Sequence, residues 1–112
     1  MKHIIAVMRP EKLDDVRHAL EKVGYSGLMI SEIEGHGKQK GIVQQWRGEK
    51  YKVDLISKIK LEVVVKDEEA KTIIKTIIEN ARTGEIGDGK IFISTVEEVI
   101  RIRTGEEGEI AL

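Results

Sequence analysis

Residues 83–93 have the types and spacing that best suit the binding of an anion. Gly84, Gly87 and Gly89 carry no side chains that would keep an anion away from backbone N–H groups. Lys90 adds a positive charge where the next strand is predicted to begin. The segment is not a Walker A loop, because it lacks that spacing and no helix follows it. A glycine turn that only joins a helix to a strand would look the same, so this pattern alone leaves both interpretations open.

A pair of arginines near the end of the chain favours phosphate binding. In an extended segment, alternate side chains point the same way, so Arg101 and Arg103 could direct two guanidinium groups at one polyanion. An ordinary solvated edge strand would show the same alternation. Together with Lys90, the two arginines make phosphate binding the better interpretation.

No arrangement of side chains indicates catalysis. His3, His18 and His36 fall in a predicted strand, helix and loop, without the spacing of metal ligands. The serines lack the sequence context of a nucleophile elbow, and the acidic pairs at the helix starts are explained by the helix dipole. The sequence therefore favours a binding protein over an enzyme, with slow hydrolysis of a bound nucleotide as the alternative.

Composition restricts the class of protein. The 112 residues suffice for one domain with its own core. With 19 basic and 20 acidic residues, the net charge of −1 gives no reason to expect nucleic acid or an anionic membrane as partner. The absence of cysteine excludes disulfides and thiolate metal sites. Because the sequence offers neither a secretory segment nor the roughly 20 apolar residues of a membrane span, we expect a cytoplasmic protein without direct membrane insertion.

Hydrophobic periodicity predicts the elements that must position these residues. Short apolar runs predict four strands, over residues 4–8, 28–33, 61–65 and 91–93. Pro10 is suited to begin a helix that ends at Gly24, and Asp67 is a suitable N-cap for a second helix. The apolar stripe of the second helix consists of Ala70, Ile73, Ile74, Ile77, Ile78 and Ala81. Two strand–helix–strand halves predict a single α+β domain over residues 1–112, a ferredoxin-like βαββαβ split sandwich with both helices on one face.

The first predicted strand is apolar on both faces. Ile5 and Val7 point to one side, while Ile4, Ala6 and Met8 point to the other. In a split sandwich the helices cover only one face of the sheet, and so short a chain has nothing left to cover the second. This pattern predicts a homo-oligomer. A domain with one imperfectly polar face is the alternative.

Residues 36–57 fit no predicted element and form a long loop between the second and third strands. The segment is rich in glycine, polar and charged residues, and it is far longer than a usual connection. It also contains Trp46 and Tyr51, whose large amphipathic rings suit an interface better than a merely solvated loop. We interpret the segment as a partner-binding loop, with a tolerated insertion as the alternative.

With these motifs in place, the sequence resembles the PII family of nitrogen regulatory proteins. The resemblance covers essentially the whole chain without an obvious gap, and residues 83–93 fit the family's carboxy-terminal signature throughout. The other matching segments are residues 9–13 (RPEKL), 35–41 (GHGKQKG), 53–55 (VDL), 58–60 (KIK) and 101–104 (RIRT), together with Arg47, Gly48 and Tyr51. The resemblance implies a homotrimer of ferredoxin-like subunits, which agrees with the two-sided first strand.

The resemblance further implies that ATP or ADP binds in the clefts between subunits. One subunit would contribute a phosphate-binding loop at residues 82–90, and its neighbour would contribute arginines from the carboxy-terminal segment 101–112. The implied nucleotide ligands are Gly35, Gly37, Lys38, Val64, Gly87, Asp88, Gly89, Lys90, Arg101 and Arg103.

With Mg-ATP bound, members of the family bind 2-oxoglutarate. The contacts that the resemblance implies here are Gln39, Lys40, Gly41 and Lys58. Gln39 would be the protein ligand to Mg²⁺, while phosphate and keto-acid oxygens complete the octahedron. Lys58 would pair with the distal carboxylate. The keto acid needs the metal and the metal needs the triphosphate, so the chain would detect the coincidence of both ligands.

As a PII-like protein the chain would regulate nitrogen metabolism through the shape of its long loop. The implied partners are an ammonium transporter, whose pore Arg47 at the loop tip would plug, and glutamine synthetase. A transporter would recruit this cytoplasmic protein to the membrane. Tyr51 would be a partner contact and a candidate modification site, although residues 46–51 (WRGEKY) depart from the uridylylation motif of bacterial members.

Three positions depart from the family pattern. Lys38 stands where arginine is frequent, and lysine lacks the bidentate geometry of a guanidinium on phosphate. His36 replaces the usual aromatic residue, and Met29 replaces a threonine that commonly meets the adenine. A PII-like relative that binds bicarbonate or a metal is a further alternative, against which the presence of Gln39 and Lys58 argues.

Overall fold

A computed structural model shows an antiparallel sheet of four strands with two helices packed on one face. It describes residues 1–25, 27–36, 42–46, 49–53 and 55–112. The strands are β1 (Lys2–Met8), β2 (Met29–His36), β3 (Ile42–Trp46), β4 (Glu49–Val53), β5 (Leu55–Val65) and β6 (Gly89–Thr95). The helices are α1 (Leu13–Lys22) and α2 (Asp67–Ala81). The main sheet has the order β2-β5-β1-β6, which confirms the predicted α+β class and ferredoxin-like arrangement.

The third strand of the main sheet is longer than predicted. The apolar run predicted residues 61–65, whereas β5 begins at Leu55 and pairs with the whole of β2. Lys58 and Lys60 interrupt the apolar run, but both fall on the sheet face that the helices leave open, so the strand continues through them.

The prediction that residues 36–57 fit no element is wrong for the described part of that segment. His36 ends β2, and β3 and β4 form a separate two-stranded antiparallel sheet. Its register runs from Ile42 opposite Val53 to Trp46 opposite Glu49. The connection between the second and third strands of the main sheet is therefore long, as predicted, but carries a hairpin.

The helices begin close to where the sequence predicted. Pro10 opens a 3₁₀ turn that leads directly into α1. Asp67 is the first residue of α2 rather than its N-cap, which is Lys66. The Asp67 carboxylate lies 2.9 Å from the amino group of Met1, so an ion pair takes the place of the predicted capping bond.

No helix in the described part of the chain is long and apolar enough to cross a membrane.

The core lies between the two helices and one face of the sheet. Alternate residues of β1 and β5 face the helices, and the predicted stripe of α2 supplies Ala70, Ile73, Ile77 and Ala81 to the same cluster. Ile74 and Ile78 are only half-buried. Helix α2 is rich in isoleucine, which is a weak helix former. Burial of its apolar surface is therefore the main contribution to its stability.

The opposite face of the sheet, which we call the open face, is also apolar along β1. Ile4, Ala6 and Met8 are buried under the helices, whereas Ile5 and Val7 point to the open face and stay half-buried. The open face also carries Phe92, opposite Ile5 in the register. Phe92 is 54% exposed, which is unusual for a side chain of this size. The prediction of a two-sided first strand is confirmed.

We expect Ile73→Ala to lower the free energy of unfolding by about 2–5 kcal/mol, because Ile73 is fully buried and its truncation leaves a cavity. Ile78→Ala, on the same helix but half-buried, is the control and should lose clearly less. Urea-induced unfolding followed by circular dichroism measures both. Equal losses would contradict the assignment of Ile73 to the centre of the core.

Candidate functional site

Three parts of the chain meet at the carboxyl end of β1. Met8 is paired with Ile59 of β5 on one side and with Gly89 of β6 on the other. The segment before Gly89, residues 83–89, is called the glycine loop below. Strand pairing therefore brings Arg9, Lys58 and this loop to one end of the sheet, although they are far apart in sequence.

The carboxylate of Asp88 holds the glycine loop together. One oxygen accepts hydrogen bonds from the backbone N–H groups of Thr83 and Gly84, both at 2.9 Å. The other accepts from the Thr83 hydroxyl and from Arg9 Nε, the latter at 3.1 Å. These bonds, above all that from the Thr83 hydroxyl, hold the pKa of Asp88 well below its usual value. Asp88 is therefore ionised at neutral pH and its side chain is engaged within the loop.

Arg9 reaches two different residues of the loop. Besides Asp88, its guanidinium donates a hydrogen bond of 2.9 Å to the carbonyl oxygen of Ile86. The backbone of Arg9 is extended, with φ −63° and ψ 137°, as expected for a residue that precedes proline. Pro10 thus restricts the direction from which this side chain approaches the loop.

Lys58 is a buried cation against the same loop. Only 8% of the residue is exposed, and its ammonium donates a hydrogen bond to the carbonyl oxygen of Gly87. Burial, and then the positive charge of Arg9, lower the pKa of Lys58. None of the ion pairs in the described part of the chain involves this ammonium. The loop end of the sheet therefore holds a buried positive charge that is hydrogen-bonded to a carbonyl oxygen, while the carboxylates of Glu11 and Asp88 act on it from a longer distance.

The two cations also set the direction of the loop's backbone N–H groups. In a planar trans peptide, the C=O of one residue and the N–H of the next point in opposite directions. Because the Ile86 carbonyl faces Arg9 and the Gly87 carbonyl faces Lys58, the N–H groups of Gly87 and Asp88 point away from these cations. Two neighbouring N–H groups that point outward suit an anion.

Gly89 is required for a reason other than access to an anion. A Cβ built at this position would overlap the carbonyl oxygen of Val7, and the φ of 101° is one that only glycine adopts readily. The final glycine of the predicted phosphate motif is therefore fixed by the close approach of β1 to β6.

Lys90 and Val64 lie on the open face but at opposite ends of it. Lys90 is opposite Val7, and Val64 is opposite His3. At about 3.3 Å per residue they are roughly 13 Å apart along the strand direction. Within one chain, Lys90 therefore belongs with the glycine loop, and Val64 lies at the other end of the sheet.

The two arginines near the end of the chain do not lie in an extended segment. The Gly105 N–H donates to the Arg101 carbonyl, so residues 101–105 form a turn and the predicted alternation of the two side chains does not apply. The Arg101 guanidinium bonds the Glu106 carboxylate at 2.7 Å and the Ile110 carbonyl at 2.8 Å, whereas Arg103 is exposed. No hydrogen bond in the described part of the chain joins either guanidinium to the glycine loop.

Several predicted contacts lie outside the described residues. These are Gly37, Lys38, Gln39, Lys40, Gly41 and Arg47. Gly35 belongs to β2 and Tyr51 to β4, and only their places in those strands are described. In the part of the chain that the structure describes, no group of three acidic or histidine side chains could hold a metal ion.

The sequence interpretation missed the roles of Arg9 and Thr83. Arg9 was named only as part of the matching segment 9–13, without a role of its own. The signal that could have identified it is the register, because a strand that ends at Met8 next to Gly89 places the following residue beside Asp88. Thr83 begins the six-residue span that Asp88 closes, and its hydroxyl bonds the Asp88 carboxylate within that span.

Comparison with known proteins gives consistent matches along the whole chain. The family model described as nitrogen regulatory protein P-II matches residues 1–106. The chain is 53% identical over 112 residues to nitrogen regulatory protein P-II 2 of Methanothermobacter thermautotrophicus, covering 100% of this chain and 97% of that protein. It is 55% identical to nitrogen regulatory protein P-II of Haemophilus influenzae and 52% identical to nitrogen regulatory protein P-II 1 of Escherichia coli K12, in both cases over 100% of each chain.

Gly89→Ala should destabilise the chain far more than Gly84→Ala. Gly84 also has a positive φ, of 90°, but no atom lies within 4 Å of a Cβ built there, so its substitution should lose only about 1–2 kcal/mol. At Gly89 the same backbone strain is added to the overlap with Val7. Urea-induced unfolding compares the two variants. Equal losses in the free energy of unfolding would contradict the prediction, because they would show that the backbone avoids the overlap with Val7 at no cost.

Asp88→Asn should change how stability depends on acid. Because the folded-state pKa of Asp88 lies below its usual value of 3.8, the stabilisation by the ionised group is fully present above that value and is lost as the pH falls below it. The variant should therefore be less stable than the natural chain near pH 7, with a smaller difference at about pH 3. Asp14→Asn, which removes the exposed partner of Arg17, is the control. A deficit of the same size at both pH values would contradict the prediction.

Proposed function

Since the chain belongs to the nitrogen regulatory protein P-II family, we propose that it senses nitrogen status by binding ATP or ADP and, together with Mg-ATP, 2-oxoglutarate. The relatives are named as regulatory proteins, and the proposed activity is accordingly ligand binding rather than catalysis. Ligand binding would act on the long connection between β2 and β5, through which the protein would regulate its partners.

The observation that carries the proposal is the buried ammonium of Lys58. A buried charge without a direct ion pair is unfavourable, and burial together with the nearby guanidinium of Arg9 outweighs the more distant carboxylates of Glu11 and Asp88, so the pKa of Lys58 is lowered. An anionic ligand relieves it. The distal carboxylate of 2-oxoglutarate is the proposed partner of Lys58, and this role fits a cation that already lies against the glycine loop.

The glycine loop supports the nucleotide part of the proposal. The outward N–H groups of Gly87 and Asp88 suit phosphate oxygens, and Lys90 adds a charge on the open face next to the loop. Asp88 would contribute through its backbone, since its carboxylate is engaged within the loop. Gly35, Gly37, Lys38 and Val64 are proposed to line the remainder of the nucleotide site, with Val64 at the far end of the open face.

The open face supports a homotrimer. Ile5, Val7 and Phe92 together leave an apolar surface that a second copy would cover. In a trimer the cleft between subunits could receive Arg101 and Arg103 of a neighbour, which the single chain does not bring to the loop. Arg101 would then exchange Glu106 for a phosphate, a comparable charge-assisted bond.

The metal and partner contacts are proposed for the connection between β2 and β5. Gln39 would be the protein ligand to Mg²⁺, and Lys40 and Gly41 would contact the keto acid beside it. Arg47 and Tyr51 would contact an ammonium transporter or glutamine synthetase, with Tyr51 as a candidate modification site. A transporter partner would recruit the protein from the cytoplasm to the membrane. Because the ligands and the partners use the same segment, ligands that favour one of its shapes would shift the population that partners recognise.

Titration calorimetry of 2-oxoglutarate with Mg²⁺ tests the proposal, with ATP, with ADP and without nucleotide. We expect binding with Mg-ATP only. Lys58→Gln should weaken binding of the keto acid by about tenfold or more and keep most of the affinity for ATP, because it removes one charge-assisted bond to the keto acid.

The control is Lys75→Gln, which removes an exposed lysine that pairs with Glu79 on α2. It should bind both ligands like the natural chain. Binding of ATP without any response to 2-oxoglutarate would leave a nucleotide sensor and refute the nitrogen-status mechanism. Undiminished binding of the keto acid by Lys58→Gln would refute the assigned role of Lys58.

A further inference from the structure

The contact between Arg9 and Asp88 is the best-defined feature of the site that the proposed function leaves unused. We propose that Arg9 and Asp88 are positioning residues that fix the direction of the glycine loop's N–H groups and thereby set the loop's affinity for the phosphates of a nucleotide. The inference rests on the proposed nucleotide binding. Neither side chain needs to touch the ligand.

The first argument is the rigidity of the anchor. Arg9 follows the last residue of a central strand and precedes Pro10, so its backbone is restricted on both sides. Its carbonyl oxygen also accepts a hydrogen bond of 3.1 Å from the N–H of Lys12. The side chain is only 21% exposed. A guanidinium on such a base adds little flexibility to the groups that it holds.

The second argument is the way in which the guanidinium spans the loop. Its Nε bonds the Asp88 carboxylate and its terminal nitrogen bonds the Ile86 carbonyl, so two residues on either side of Gly87 are held by one planar group. Since the Gly87 N–H is opposite the Ile86 carbonyl in the same peptide, this contact sets the direction of that N–H. Gly87 has a φ of 104° and would otherwise move easily.

The third argument is charge. Asp88 brings an ionised carboxylate into a loop that is proposed to bind phosphate, and an unpaired carboxylate there would repel the ligand. Arg9 offsets this charge from within the loop, because its Nε and one terminal nitrogen are directed at Asp88 and at the Ile86 carbonyl. Loss of Arg9 alone should therefore weaken phosphate binding in two ways, by freeing the loop and by exposing the carboxylate.

The test compares the affinities of the full chain for ATP and ADP in matched variants. Arg9→Gln should bind both nucleotides about tenfold more weakly or worse, the loss expected for charge-assisted hydrogen bonds. Arg9→Lys keeps the charge but cannot span Asp88 and Ile86, so it should recover part of the affinity. Arg17→Gln removes an arginine that pairs with Asp14 at 3.2 Å on the exposed face of α1, and it should bind like the natural chain.

A double-variant cycle separates the pair from two independent effects. Arg9→Gln and Asp88→Asn together should weaken ATP binding by clearly less than the product of the two single losses, because each removes the same contact. Two results would overturn the proposal. One is a loss of ATP affinity in the double variant equal to the product of the two single losses, and the other is an Arg9→Gln chain whose ATP affinity equals that of the Arg17→Gln chain.

A readout without ligand distinguishes this inference from the proposed function. If the natural chain binds neither ATP nor ADP, the proposed function fails, and the amide ¹H–¹⁵N chemical shifts of Thr83, Gly84 and Gly87 then decide on the positioning pair. We expect Arg9→Gln to move these signals and Arg17→Gln to leave them in place. Signals that stay unchanged in Arg9→Gln would overturn the inference.

Discussion

The pairing of β1 with a neighbour on each side is the constraint on which the site depends. The central strand β1 lies between β5 and β6. Its last residue, Met8, pairs with Ile59 of β5 and with Gly89 of β6, so the end of β1 fixes the register of both neighbouring strands. The close approach of β6 excludes any side chain at Gly89, where the glycine loop joins the sheet. Pro10 ends the strand on the other side, since proline cannot continue the ladder of hydrogen bonds. The site is a consequence of how the central strand ends.

This arrangement concentrates positive charge where the sheet has few compensating groups. Arg9 and Lys58 approach the same loop, and among the described residues only Asp88 brings a carboxylate into direct contact with either. Replacement of Lys58 by an apolar residue would remove an unfavourable buried charge, as has been found for buried charges in other proteins. Binding sites are often less stable than they could be, because the groups that await a ligand are unsatisfied without it.

Much of the fold could be predicted from periodicity, because alternation and helical stripes report directly on the core. The stripe of α2 and the alternation of β1 are examples, because four of the six stripe residues and one face of β1 reappear in the observed core. The hairpin of β3 and β4 could not be predicted in this way, since two short strands that pair only with each other need no apolar face directed at the core.

The site was predicted less completely, because its geometry comes from contacts between distant segments. The glycines and Lys90 are visible in the sequence, but the burial of Lys58 follows only from the position of its strand beside the loop. Arg101 was predicted in an extended segment, whereas its ion pair with Glu106 and the hydrogen bond from the Gly105 N–H to its carbonyl belong to a turn. Local patterns do not reveal such a turn when its flanking residues alternate like a strand.

The sequence separation within the site affects when it can form during synthesis. Arg9 and Asp88 are 79 residues apart, and β1 stays without its partner β6 until nearly the whole chain has been made. Contacts of such range form late, because a long segment must be ordered before any of them is gained. A nascent or truncated copy therefore has β1 and both helices but lacks a completed glycine loop. The order of synthesis therefore makes the glycine loop one of the last parts of the sheet to gain its contacts.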